Sequence, residues 1–388
     1  MTNLKKISIA IDASNLSSGG GLTHIVEFLV ALNNSKNNIE KVEIWSSNLT
    51  LKKIKKYKWL TKSSLGFFDK NLFLRILWQT FILSRSVRAR NFDILFVPGG
   101  SYSGNFRPVV TMSRNLLPFE SSELIRYGLS AFTIKLICLR FIQLSTFRRV
   151  DGLIFLTNYA KKIILGLTKI NGEFQTISHG INPRFRLEPR KQYKIEMYTK
   201  VRPYRILYVS TIDFYKHQVN LIRAIARLRI KGMNLELNLI GGSYKPALKI
   251  LEREIKIFDP KNSWIKYKGP MNFNDLHTVY KNSELGVFAS SCENMPNILI
   301  EMMASGLPIA CSNRGPMPEI LGDSGLYFNP EDIDEITNII DTLVTSPGLR
   351  EKLSKLSYKS SQQYSWSTCA KKTFAFIHKI ARKKGNYA

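Results

Sequence analysis

Short apolar runs rich in β-branched residues alternate along this chain with longer stretches of helical periodicity. Runs at 7–11, 42–45, 93–97, 152–156 and 175–178 read as buried strands, with helical stretches at 22–32, 72–88, 124–147 and 158–167 between them. The theme repeats with strands at 206–209, 235–240, 265–267, 285–289 and 309–311. Strand–helix alternation implies parallel sheets covered by helices on both faces. A charged, strand-poor stretch, 184–203, separates the two sets, and 388 residues suffice for two such cores. The expected fold class is α/β, with two Rossmann-like domains at 1–190 and 200–368 whose parallel sheets face across a cleft. Open parallel sheets bind ligands outside the carboxyl ends of their strands, so the residues just after strands are the candidates.

The most informative such stretch is 285–311, LGVFASSCENMPNILIEMMASGLPIAC. A strand ends near Ala289, Pro296 suits the first turn of a helix, and Gly306 and Pro308 stop that helix before a new strand. Glu293 lies in the intervening loop; Glu301 lies more than a turn into the helix. A helix start has unpaired N–H groups and a positive dipole end, which favour a phosphate. Carboxylates repel phosphate but accept hydrogen bonds from sugar and ribose hydroxyls. The arrangement therefore suits a molecule of the form sugar–diphosphate–ribose. The competing reading is a capping box from Ser290 to Glu293 with Glu301 on a solvated face. Pro296 opposes it, because it would then sit in the helix interior.

ENMPNILIEMMASGLPIACS resembles the signature of glycosyltransferase family 4, with the Glu-x₇-Glu element at Glu293 and Glu301. The resemblance is strongest over 205–328. It implies the GT-B fold, a retaining sugar transfer from a nucleotide-diphosphate sugar, and no metal or other cofactor. It makes the first domain the acceptor-binding one and the second the nucleotide-sugar-binding one. It implies that Glu293 contacts the transferred sugar and Glu301 the ribose, while backbone N–H groups of Asn294, Met295, Pro296's neighbours, Asn297 and Ile298 hold sugar and phosphate. Gly20 and Gly21 match the family's glycine pair at the donor phosphate; the alternative is a flexible turn. In YVSTIDFYKHQVNLIRAI, Lys216 matches the Lys that neutralises the diphosphate, while Thr211 stands where the family has an Arg, leaving Arg205 or Arg314 as stand-ins. In TMSRNLLPFE, Arg114 and Asn115 occupy the place of the family's His. His24 reads as packing, the 178–182 turn as structural, and Gly315 and Glu319 as shaping the pocket. The resemblance also carries the last helix, about 369–388, back onto the first domain.

Charge adds a second constraint. Residues 1–200 hold 31 basic and 12 acidic residues, against 26 and 17 in 201–388, so the excess sits in the first half. Such a surface serves nucleic acid, an anionic membrane or an anionic substrate, or is a solvated bias. Zinc-finger spacing, an RNP pattern and a KH loop are all missing from the sequence, which argues against nucleic acid. Segments 51–62 and 72–90 mix basic residues with Leu, Ile, Trp and Phe, a pattern that favours an anionic lipid surface; packing against the sheet is the alternative. None of the four cysteines forms a Cys-x-x-Cys pair, and no apolar run reaches spanning length. The expected partners are a nucleotide-sugar, a lipid-linked glycan acceptor and an anionic membrane, and the expected location is the cytoplasmic face of that membrane. Rival readings are an inverting GT-B enzyme, a catalytically weak relative and a basic nucleic-acid-binding protein.

Overall fold

The computed structural model describes residues 6–16, 19–35, 39–66 and 72–385. The chain forms two compact units: Met1–Phe119 with Leu129–Gly180 and Ser365–Ala388, and Glu120–Gly128 with Ile181–Tyr364.

The first unit begins with β1 (Ile7–Asp12), α1 (Gly19–Ser35), β2 (Ile39–Trp45), α2 (Asn48–Lys53) and β3 (Leu60–Ser63). Helix α3 (Leu72–Leu77), a π-helical turn (Trp78–Leu83) and α4 (Ser84–Ala89) run on as one rod into β4 (Ile94–Val97) and β5 (Val109–Met112). The short α5 (Ser121–Ile125) belongs to the second unit; α6 (Ala131–Arg149), β6 (Gly152–Phe155), α7 (Asn158–Leu167) and β7 (Glu173–Thr176) then complete the sheet. All seven strands are parallel, in the order β3-β2-β1-β4-β5-β6-β7. Strands β1, β4, β5 and β6 are buried on both faces, which explains their mostly apolar sequences. The helix expected over 124–147 is instead two, broken by a turn at Gly128. Two strands of this sheet lay outside the expected runs: β3, LTKS, with three polar residues of four, and β5, VVTM.

The second unit holds β8 (Tyr204–Val209), α8 (Gln218–Ile230), β9 (Leu235–Ile240), α9 (Lys245–Phe258), β10 (Ile265–Tyr267), α10 (Leu276–Lys281) and β11 (Leu285–Phe288). It continues with α11 (Asn297–Ala304), β12 (Ile309–Ser312), α12 (Met317–Leu321), β13 (Leu326–Phe328), α13 (Ile333–Thr345) and α14 (Pro347–Ser361). Its parallel sheet has the order β10-β9-β8-β11-β12-β13. Arg350 is fully buried here and donates to the carbonyls of Leu343, Val344 and Tyr193 and to Gln192 Oε1. It thereby satisfies the carboxyl end of α13 and anchors the stretch leading into β8. The last helix, α15 (Trp366–Gly385), packs in the first unit against α1 and along β4 and β6.

The 51–62 segment departs from a lipid-facing reading. Leu51, Ile54 and Leu60 are buried, Trp59 Nε1 donates to Asn33 Oδ1 at 3.2 Å, and Lys62 Nζ is bound to the carbonyls of Leu51 and Ile54. Its apolar residues serve the core.

Candidate active site

In the second unit the strand order reverses at β8, which has β9 on one side and β11 on the other. Connections diverge at such a point and leave a crevice at the carboxyl ends. Lys216 follows β8 and Glu293 follows β11, so the topology brings them together despite 77 residues of separation. Lys216 Nζ is ion-paired with Glu293 Oε1, and both side chains are mostly buried. Burial opposes the charge on Lys216, but the adjacent Glu293 carboxylate outweighs it and holds the ammonium above its ordinary pKa. The ring faces of Tyr215 (4.7 Å) and Phe288 (5.7 Å) also flank the ammonium. The supporting loops are tied: Ser291 N donates to Tyr215 O at 2.8 Å, and His217 Nε2 lies 2.9 Å from Ser291 Oγ. Burial, with Arg126 and Arg314 nearby, pushes the His217 imidazole down to about 4, so it is neutral at physiological pH.

Helix α11 starts after Pro296, which caps it, and ends at Gly306 in the left-handed conformation. A Cβ at Gly306 would lie 2.7 Å from Pro189 N, so both φ and close packing select glycine there. Asn294 and Met295 are buried in the loop, and Asn297 and Ile298 form the first turn at half exposure. The capping-box alternative fails: Ser290 is in the loop, its hydroxyl donating to Cys292 O at 3.1 Å. Glu301 is buried, not solvated, and its Oε2 accepts from Tyr280 Oη at 2.8 Å. Burial pushes Glu301 up to about 8, against the opposing effects of Tyr280 and Arg184. Tyr280 and Arg184 went unnoticed in the sequence. Arg184 sat in the stretch read as linker, and Tyr280 lies on α10, a short helix without a motif.

The two stand-in cations separate cleanly. Arg205 is the second residue of β8, at the amino end of the sheet, bonded to Asn282 O (3.2 Å) and 4.0 Å from Glu236. It is therefore remote from the carboxyl end where Lys216 lies. Arg314 follows β12 at the carboxyl end, bonded to Asn329 Oδ1 (3.2 Å) and 3.8 Å from Glu331, and its charge is felt at His217. Thr211 is exposed.

In the first unit Gly20 and Gly21 lie in the first turn of α1, not in a loop before it. That places their N–H groups among the unpaired donors of a 17-residue helix. A Cβ on Gly21 would stand 3.1 Å from both Arg114 Nη1 and Leu16 Cδ2, so the glycine lets the guanidinium pack beneath the helix start. Arg114 follows β5; its Nη1 is buried, and it has neither hydrogen bond nor ion pair among the described residues. Burial lowers it to about 10. Asn115 is exposed, its Oδ1 accepting from Leu117 N at 3.1 Å. His24 is fully buried, stacked on His179 at 4.8 Å and tilted against Trp366 at 5.8 Å. Burial, His179 and Arg114 hold it well below its ordinary pKa, so it packs as a neutral ring.

Residues 190–360 match the family model described as Glycosyl transferases group 1. The O-antigen chain mannosyltransferase B of Escherichia coli is 27% identical over 167 residues, 43% of this chain and 44% of that protein. The chain thus spans less than half the length of this curated relative. Sucrose-phosphate synthase from Thermosynechococcus elongatus superposes with a TM-score of 0.77 at 16% identity, covering 99% of this chain and all of the other. HepE of Anabaena, solved in complex with UDP and glucose, superposes at 0.68 with 13% identity, covering 96% and 100%. The fold is that of the GT-B class, two Rossmann-like domains. The matched segment and the relative's name support a glycosyltransferase, that is, a transferase enzyme.

Proposed function

We propose that this protein is a retaining, hexosyltransferase-type glycosyltransferase of family 4. It moves a sugar from a nucleotide-diphosphate sugar to a lipid-linked or cell-surface polysaccharide acceptor of the O-antigen or capsule type. The observation that carries the reading is the Lys216–Glu293 ion pair at the switch point of the second sheet, beside the start of α11. In this reading Lys216 exchanges its partner for the donor diphosphate and stabilises the charge that develops as the C–O bond to phosphate breaks. Glu293, released, accepts from the sugar hydroxyls, and Glu301 with Tyr280 meets the ribose. The backbone of 294–298 faces the phosphates. Arg314 supplies the second positive charge that Thr211 does not. In the first domain we assign Gly20, Gly21, Arg114 and Asn115 to substrate binding. The acceptor oxygen bonds to the anomeric carbon on the face the phosphate leaves, and the departing phosphate oxygen takes the acceptor proton. The charge balance of lysine, arginine and helix start needs no metal. Among the described residues no helix is long and apolar enough to cross a membrane, and we place the protein peripherally on the cytoplasmic face, where a lipid-linked acceptor is met.

The test is a thermal-shift series with UDP, GDP, ADP and TDP and their sugars, without metal. A nucleotide at 100 times its Kd stabilises the native state by about 2.7 kcal/mol. One nucleotide family should raise Tm, and Glu301→Ala should abolish the shift. No shift from any of them at millimolar concentration would sink the reading. NMR of the product's anomeric configuration separates retention from inversion.

A further inference from the structure

The rod Leu72–Ala89 and helix α6 both pack on the loop 99–106 of the first unit. The loop 99–106 joins them from their buried sides. Gln79 Nε2 donates to Ser101 O at 3.0 Å, and Gln143 packs on Gly100, where a Cβ would lie 2.9 Å from its Nε2. One turn further along, Ser84 Oγ lies 3.1 Å from Tyr102 Oη, while Tyr102 N donates to Thr146 Oγ1 at 3.0 Å. The two helices therefore run in the same direction at the same level. Their opposite sides are apolar and exposed. On the rod these are Leu77, Phe81 (60% exposed) and Ile82; on α6 they are Ile134 (65%), Ile137, Phe141 (67%) and Ile142. Scattered apolar residues need no explanation, but two matched stripes on adjacent helices do.

Charge says what covers them. Neither 72–90 nor 131–149 contains an acidic residue, while they carry Arg75, Arg85, Arg88 and Arg90, and Lys135, Arg140, Arg148 and Arg149. Where both helices end, a cavity of about 500 Å³ is lined by Arg88, Arg107 and Arg149 with Tyr102, Asn105 and Phe106. Arg107 is paired with Asp151, but among the described residues Arg88 and Arg149 bond only neutral oxygens, those of Asn105, Ser145 and Tyr102. The carboxyl ends of two helices contribute about half a negative charge each, which two unpaired guanidinium groups exceed. Apolar side chains one to two turns ahead of arginines, with no acid between, match an anionic phospholipid surface: the phosphates meet the arginines and the rings reach below them.

We infer that the paired faces of 72–89 and α6 are the surface by which this protein docks on an anionic phospholipid bilayer, with lipid phosphate at the Arg88–Arg149 cavity. The inference rests on the transferase reading only for the lipid-linked acceptor that makes docking useful. The test is flotation of the full chain with vesicles of phosphatidylcholine alone and of phosphatidylcholine mixed with phosphatidylglycerol. Binding to the mixed vesicles alone is expected. Phe81→Ser with Phe141→Ser should lower partitioning at least about tenfold, and Arg88→Gln with Arg149→Gln several-fold, with the salt dependence flattened. The melting temperature should not move for the Phe pair, whose rings are already exposed, and the nucleotide-induced shift should persist in both variants. Wild-type protein that stays down with mixed vesicles overturns the inference, as do two variants that float like wild type. A dimer that the Phe pair splits with no loss of flotation would assign the face to a second copy instead. A nucleotide shift without flotation refutes docking alone; flotation without a nucleotide shift refutes the transferase reading alone.

Discussion

Two arginines with buried guanidinium nitrogens, one in each unit, are treated in opposite ways. Arg350 in the second unit is fully buried, and its guanidinium is met by three carbonyl oxygens and Gln192. Arg114 in the first unit has a buried Nη1 with no acceptor among the described residues, packed under a helix start that is itself positive. A buried cation is tolerated when its donors are satisfied and costs stability when they are not. Arg350 therefore belongs to the fold, while Arg114 is held at a cost by the fold around it.

The sharpest way to break this comparison is Arg350→Met. It leaves the last carbonyls of α13 without donors in a dry interior and should destabilise the protein by roughly 3–5 kcal/mol, read from denaturant midpoints. A loss under about 1 kcal/mol would put Arg350 on the same footing as Arg114. A smaller effect concerns Glu301 in the second unit, another buried ionisable group. Its pKa is raised by burial to about 8, so its stabilising contribution is full below the ordinary carboxyl value and is lost as pH rises through about 8. Wild-type stability should fall across that window with a slope of up to about 1.4 kcal/mol per pH unit, and Glu301→Gln should flatten it. Equal slopes in the two proteins would mean that Glu301 ionises freely. The smallest effect is expected from Arg114→Met. Removing an unmatched charge should leave stability unchanged or raise it by up to about 1 kcal/mol, while sugar transfer falls. Destabilisation on the scale of Arg350→Met would reveal a partner for Arg114 and collapse the contrast.

Legibility followed the same divide. In the second unit's site Glu293 and Glu301 lie in one contiguous stretch, where Pro296 marks a helix start and Gly306 its end, so these two could be placed from local rules. Arg205 and Arg314 were both kept as stand-ins, although the strands expected at 206–209 and 309–311 already set one before a strand and the other after one. β8 puts Arg205 at the amino edge, and β12 ends before Arg314 at the carboxyl edge. The lysine-rich 51–62 segment looked amphipathic because its apolar residues are core residues. In α6 apolar residues surround the helix, so no periodicity distinguished the buried side from the exposed one.

Local chemistry in the sequence determined that this chain builds two parallel α/β sheets and where the helix after β11 begins. Hydrophobic periodicity, proline and glycine act over a few residues and are written in order. The Lys216–Glu293 pair, the Tyr280–Glu301 hydrogen bond, the burial of Arg114 under Gly21 and the exposed faces of 72–89 and α6 were decided by tertiary structure. Each depends on which strands become neighbours and which side of a helix meets them, and strand order is set by packing across the whole sheet.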